Sequence, residues 1–239
     1  MPLIGKIKDK IIFFWKIFLD YLFPKECGRC HHEGEYLCSS CFSQIEYLPK
    51  NYCFLCNRPI GEYGICQNCQ KSSGIDSIII ATKYNNFVGQ LVEKLKYQFI
   101  EELSLILAKI LNKQIENWNF SRWLEDFVII PIPLHEKRFI ERGFNQAELI
   151  AKSLRMPYNN LVRTDLLRRQ KYTDQQAKLD RLRRFENVGN AFMATEGHLP
   201  TKVILLDDVL TTGATFISAT RTLKERGVET VICLAICHG

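Results

Sequence analysis

Several familiar nucleotide-binding signatures are missing from this sequence. It contains no Gly-x-Gly-x-x-Gly, and no lysine follows a glycine at the spacing of a Walker phosphate loop. A bilayer-spanning run is missing too. The N-terminal apolar stretch, residues 1–24, is broken by Lys16 and Asp20 and is too short and too charged to cross a membrane. No secretory leader with a cleavage site is visible, so the expected location is cytoplasmic and a disulfide framework is disfavoured. Low complexity is absent as well. With 46% hydrophobic and 24% charged residues, the chain is neither disordered nor collagen-like and can bury a real core. Its 239 residues suit one large domain, or one domain with a small module.

Cysteine, by contrast, is abundant. There are ten, and eight of them form four Cys-x-x-Cys pairs: Cys27/Cys30, Cys38/Cys41, Cys53/Cys56 and Cys66/Cys69. Two intervening residues let a tight turn aim both sulfurs at one ion, and two pairs complete a tetrahedral zinc site. The expected arrangement is two structural Zn²⁺ sites paired in sequence, Cys27, Cys30, Cys38 and Cys41 on one and Cys53, Cys56, Cys66 and Cys69 on the other. An interleaved pairing stays open. Four-sulfur sites are closed, so these ions are expected to fold the module rather than do chemistry. Cys233 lies in an apolar run and, with Cys237, reads as a buried core residue.

Three segments follow from composition. Residues 1–24 form an apolar or amphipathic helix, either packed on the protein or lying on an anionic membrane face. Residues 25–72 form the cysteine module, too small for a core of its own without metal. Residues 75–239 alternate apolar strands with helices. Ser77–Ala81, Phe127–Pro131, Val203–Leu206 and Val231–Ile236 read as strands. Helical spacing runs from Val88 to Leu111, then Ala147 to Leu154, and from about Thr215 to Arg226. Continuous apolar strands between helices predict a parallel α/β sheet covered on both faces.

The chemistry concentrates after the third strand, in Asp207-Asp208-Val209-Leu210-Thr211-Thr212-Gly213-Ala214-Thr215. Two carboxylates stand at the carboxyl end of a strand, where open α/β sheets bind ligands. A turn of small and hydroxylated residues then opens a helix, so backbone N–H groups and the helix N-terminus favour a phosphate. The carboxylates suit ribose hydroxyls or a magnesium shell.

This segment resembles the phosphoribosyl-pyrophosphate (PRPP) signature of type I phosphoribosyltransferases. A wider match, from Phe23-Pro24-Lys25-Glu26-Cys27 nearly to the C-terminus, resembles the ComF competence family. It includes Lys94-Leu95-Lys96-Tyr97, Ile130-Pro131-Ile132-Pro133-Leu134-His135 with Arg138, and Arg142-Gly143-Phe144-Asn145-Gln146. The resemblance implies a type I phosphoribosyltransferase fold behind a double zinc ribbon, Mg²⁺ with PRPP, and a role in natural transformation. It also implies contact with incoming single-stranded DNA at the inner membrane face and a helicase-like competence partner. Whether such a protein turns over, on what acceptor, and in what oligomeric state are not legible.

PRPP needs two anion sites. Thr211, Thr212, Gly213, Ala214 and Thr215 are expected to take the 5-phosphate, and Lys96, Arg138 and Arg142 the pyrophosphate. Asp207 and Asp208 are the expected catalytic acids, binding the ribose and assisting Mg²⁺. Residues 163–184 carry eight basic and three acidic side chains, a net of +5 against +6 for the whole chain. Arg168, Arg169, Lys171, Tyr172 and Arg184 fall in this stretch, where type I phosphoribosyltransferases carry a mobile loop. Three readings stand open: a clamp on pyrophosphate, a nucleic-acid contact with Tyr172 stacking on a base, or a solvated basic helix.

Overall fold

The computed structural model describes residues 24–61, 63–84, 86–98, 100–124, 126–154, 161–170 and 191–239. The expected helix in residues 1–24 falls almost wholly outside the described residues. So do Lys171, Tyr172 and Arg184.

Two compact units divide the chain at Ile45/Glu46. The first contains Cys27, Cys30, Cys38 and Cys41 and a short helix, α1, Ser39–Ser43. The second contains the other four clustered cysteines together with the whole sheet.

In the second unit, helix α2 (Gln67–Ser73) closes the cysteine segment, and Gly74 ends it in the left-handed conformation at φ 77°. Strand β1 (Ser77–Lys83) follows, buried through all but its last residue. Then come α3 (Asn86–Gln98) and α4 (Glu102–Asn117). The spacing from Val88 to Leu111 predicts one helical segment, but the chain breaks it between Gln98 and Glu102. Strand β2 is Val128–Pro131, α5 is Glu136–Arg142 and α6 is Gln146–Ser153. Asn145 caps α6 by accepting from the Ala147 N–H, while its Nδ2 donates to Ile132 O at 3.0 Å.

A short antiparallel pair, β3 (Leu167–Arg169) and β4 (Phe192–Ala194), forms a sheet of its own. Strand β5 is Lys202–Leu210, α7 is Ala214–Lys224 and β6 is Thr230–His238. The main sheet is parallel, in the order β1-β6-β5-β2. Helix α4 packs on β1, and α6 packs on β2 and β5. The expected parallel α/β architecture is therefore present.

Strand β5 runs four residues beyond the apolar stretch Val203–Leu206. Strand β6 continues to His238 and supplies ladder partners, pairing Asp207 with Ala235, Val209 with Cys237 and Leu210 with His238. The two acids are thus held in the ladder rather than in a loop. Cys233 and Cys237 are fully buried on β6, as core residues should be.

The cysteine segment from Glu46 onward shares the core of the sheet. Leu48 N–H donates to Ala81 O, and Ile78 N–H donates to Tyr63 O at 3.0 Å. Gln114 on α4, wholly buried, donates through Nε2 to Leu48 O at 2.7 Å and to Ile80 O at 2.8 Å. Phe54 stacks on Trp118 with ring centroids 6.2 Å apart.

Candidate functional site

Two groups of four cysteines are assembled, and the pairing is sequential: Cys27, Cys30, Cys38 and Cys41 in one, Cys53, Cys56, Cys66 and Cys69 in the other. Within each, all four sulfurs lie inside 4.8 Å of one another. Cys30 Sγ and Cys38 Sγ are 3.7 Å apart, as are Cys56 Sγ and Cys66 Sγ. Four sulfurs at ~2.3 Å from a zinc ion stand ~3.8 Å apart, so this spacing is that of a tetrahedral site and far from a disulfide.

Within each group the thiols shift one another in opposite directions. Burial and the three neighbouring thiols push Cys41 up to about 12, whereas backbone N–H groups of Cys30, Cys38 and Arg29 outweigh burial and bring Cys27 down to about 6. In the second group the Cys69 N–H leads in lowering Cys66 to about 7. Four thiolates in this volume repel one another, and a divalent cation removes the repulsion.

The second centre of interest lies at the carboxyl end of β5. Alternation along the strand sends Asp207 and Asp208 to opposite faces. Asp208 is buried, and its Oδ2 stands 2.8 Å from Lys96 Nζ near the end of α3. Burial alone would lower the Lys96 ammonium, but Asp208, with help from Asp207, raises it above the ordinary range. Asp207 accepts the Asp208 N–H at Oδ1. Its carboxyl is pushed up to about 7 by burial and by the Asp208 charge, against the pull of Lys96 and Arg169. The cluster therefore neutralises one carboxylate internally and leaves the other short of positive charge.

Arg169 on β3 lies half-buried on the Asp207 side. Its guanidinium sits 5.5 Å from the centre of the ring of Phe192, its cross-strand partner on β4. Burial and the charge of Arg138 lower it, and Asp207 opposes them. Arg138 itself is on α5, partly open to solvent. Arg142, one turn further on, is buried. It donates to Gln146 Oε1 at 3.1 Å and to Tyr97 OH at 3.3 Å.

The turn Thr211–Gly213 links β5 to α7. Gly213 precedes the helix at φ 77°, a conformation that strains other L-residues. It offers no side chain to cap the first turn of α7, and Thr212 Oγ1 accepts the Ala214 N–H only at 3.4 Å. Thr211 is exposed and Thr212 and Thr215 are partly so, which leaves the mouth of the turn open.

The structure thus brings Asp207, Asp208, Lys96, Arg169 and the Thr211–Thr215 turn to one end of the sheet. Lys96 and Arg142, expected as pyrophosphate ligands, are both buried and bonded to protein partners. Arg169, expected in a loop, belongs instead to a strand beside the acids. Phe54, Leu55, Gln114 and His238 carried no motif. The apolar Phe-Leu pair inside the Cys53–Cys56 knuckle was the one available hint that this knuckle must be covered. Among the described residues no helix is long and apolar enough to cross a membrane.

The family model for a double zinc ribbon domain matches residues 18–70, and that for a phosphoribosyl transferase domain matches residues 105–239. The chain is a double zinc ribbon joined to a phosphoribosyltransferase domain. Competence protein F of Haemophilus influenzae is 30% identical over 210 residues, spanning 85% of this chain and 91% of that protein. Competence protein ComFC of Bacillus subtilis is 32% identical over 211 residues, 81% of this chain and 80% of the relative. The DNA utilization protein YhgH of Salmonella typhi is 26% identical over 224 residues, 90% and 97% respectively. This chain belongs to the ComF family of competence proteins.

Proposed function

We propose that the chain binds PRPP with Mg²⁺ at the carboxyl end of β5 and serves DNA uptake or utilisation. The observation that carries the reading is the succession of two carboxylates on a parallel strand and an open, glycine-hinged turn into α7. The 5-phosphate takes the N–H groups and hydroxyls of Thr211–Thr215. Asp207, partly exposed and short of positive charge, faces the ribose hydroxyls and the Mg²⁺ that accompanies the pyrophosphate. Magnesium, an oxygen-seeking ion, fits this carboxylate and would neutralise charge on the pyrophosphate. Asp208 and Lys96 act behind it as a paired support that fixes the strand end. Arg169 and Arg138 supply positive charge on the pyrophosphate side.

Charge appearing on the ribose ring as the pyrophosphate bond loosens is stabilised by the Asp207 carboxylate.

Titration calorimetry of the whole chain with PRPP and Mg²⁺ tests the proposal. Binding is expected, and Asp207→Asn with Asp208→Asn should abolish it. Unchanged binding in that double variant would overturn the site.

A second reading is a nucleic-acid-binding protein that keeps the transferase fold as a scaffold. Its support is the name of the DNA utilization relatives and the basic run that includes Arg168, exposed on β3. Under this reading, single-stranded DNA affinity falls linearly with the logarithm of salt concentration. No binding at low salt rejects it. Residence at the membrane face and contact with a helicase-like partner belong to the same proposal. Co-sedimentation with anionic vesicles checks the former.

A further inference from the structure

The Cys53–Cys56 knuckle lies against the turn assigned above to the phosphate. A Cβ built on Gly213 would run into Leu55 Cδ2, so the space a side chain would fill is already occupied by leucine. Ile217 Cδ1, one turn into α7, closes the same spot from the helix side. Glycine is thus required at position 213 twice, for its φ of 77° and for the leucine packed on it.

Leu55 is itself held from behind. Phe54, only 2% exposed, donates its N–H to Gly64 O at 2.9 Å and stacks on Trp118. Its carbonyl accepts from His238 Nε2 at 3.2 Å. His238 is the ladder partner of Leu210, the residue immediately before the turn, and the Gly239 N–H donates to Leu210 O at 2.9 Å. The knuckle is therefore tied to the turn by two routes, through Leu55 directly and through His238 and the ends of β5 and β6. A backbone anion site works only when its N–H groups are aimed before the anion arrives.

We infer that Leu55 is a positioning residue for the phosphate turn, so anion affinity there depends on the second four-cysteine site and not on the first. The inference rests on the reading that Thr211–Thr215 receives the PRPP phosphate. No residue of the knuckle touches the ligand. Leu55 restricts the turn to one conformation, and the sulfurs of Cys53 and Cys56 hold Leu55 in place.

The test uses the full chain with PRPP and Mg²⁺ in calorimetry, alongside zinc content and thermal unfolding. Leu55→Ala should weaken PRPP on the order of tenfold while retaining both zinc ions and the wild-type unfolding temperature. Leu55→Met, which refills the space, should recover most of that affinity. Cys56→Ser should weaken PRPP at least as much as Leu55→Ala, and Cys30→Ser should lose one zinc with affinity unchanged. Wild-type affinity in Leu55→Ala, or equal weakening by Cys30→Ser and Cys56→Ser, overturns the inference.

Amide exchange of Thr212–Thr215 in ligand-free protein provides an independent arm. Faster exchange in Leu55→Ala supports the packing role, and unchanged exchange refutes it. If the wild-type protein does not bind PRPP, the ligand assignment falls, while this arm still decides whether Leu55 fixes the turn.

Discussion

The Lys96 ammonium stands 2.8 Å from Asp208 Oδ2, and each side chain is less than a tenth exposed. Such a pair costs several kcal/mol per ion in lost hydration and is held by its mutual attraction. Removing one partner leaves the other charge buried alone. Lys96→Met should therefore destabilise the chain by about 3–5 kcal/mol in denaturant unfolding. Lys96→Met with Asp208→Leu should recover most of that loss. A single variant as stable as wild type would show that the pair is not buried in solution.

Asp207 gives a pH dependence of definite sign. Its folded carboxyl is raised to about 7 from an ordinary 3.8. The unfolded chain therefore ionises first, and stability linked to Asp207 is full below about pH 4 and is lost as pH rises through 7. Asp207→Asn removes this dependence. Relative to wild type, it should raise the unfolding temperature at pH 8 by about 2–4 °C, with the gap closing towards pH 4. A gap that widens on acidification would reverse the assignment.

Gln114 joins two stretches of chain far apart in sequence, Leu48 and Ile80, through one amide. Leucine at this position keeps the volume but withdraws both donors from buried carbonyls. Gln114→Leu should cost about 1–3 kcal/mol. Hydrogen exchange would localise the loosening to residues 46–52 and the middle of β1, and uniform loosening would argue against a local tie.

Metal removal should distinguish the two cysteine groups. Cys38→Ser disturbs the first compact unit and should cost one zinc while leaving the main thermal transition within about 2 °C of wild type. Cys53 is fully buried in the second unit, next to Phe54. Cys53→Ser should lower the main transition by several degrees. Equal effects of the two variants on that transition would contradict the division at Ile45/Glu46.

Much of this was written in local pattern. Continuous apolar runs announced β1, β2, β5 and β6, and the spacing of eight cysteines announced two four-sulfur sites. The Asp207–Thr215 segment carried its chemistry openly because strand, acids, turn and helix are contiguous. Other features were hidden by their nature. The break between α3 and α4 leaves Leu95, Leu103 and Leu107 in helical register, so periodicity runs through it. Lys96 reads as a pyrophosphate ligand in the sequence, and only α3 shows it set against Asp208. Strand β5 extends through its two acids only because β6, some twenty residues later, supplies partners as far as His238. The antiparallel strands β3 and β4 have three residues each, too few for any alternation to register.

The position of the division between compact units has a practical side. Motif spacing invites a cut after Cys69, which would separate all four cysteine pairs from the sheet. Such a cut would strip Phe54 from Trp118 and His238, leave Gln114 without Leu48, and uncover Gly213. The fragment that keeps the sheet intact begins at Glu46, and it carries the Cys53–Cys69 group with it, packed through Cys53 and Phe54 on its own core.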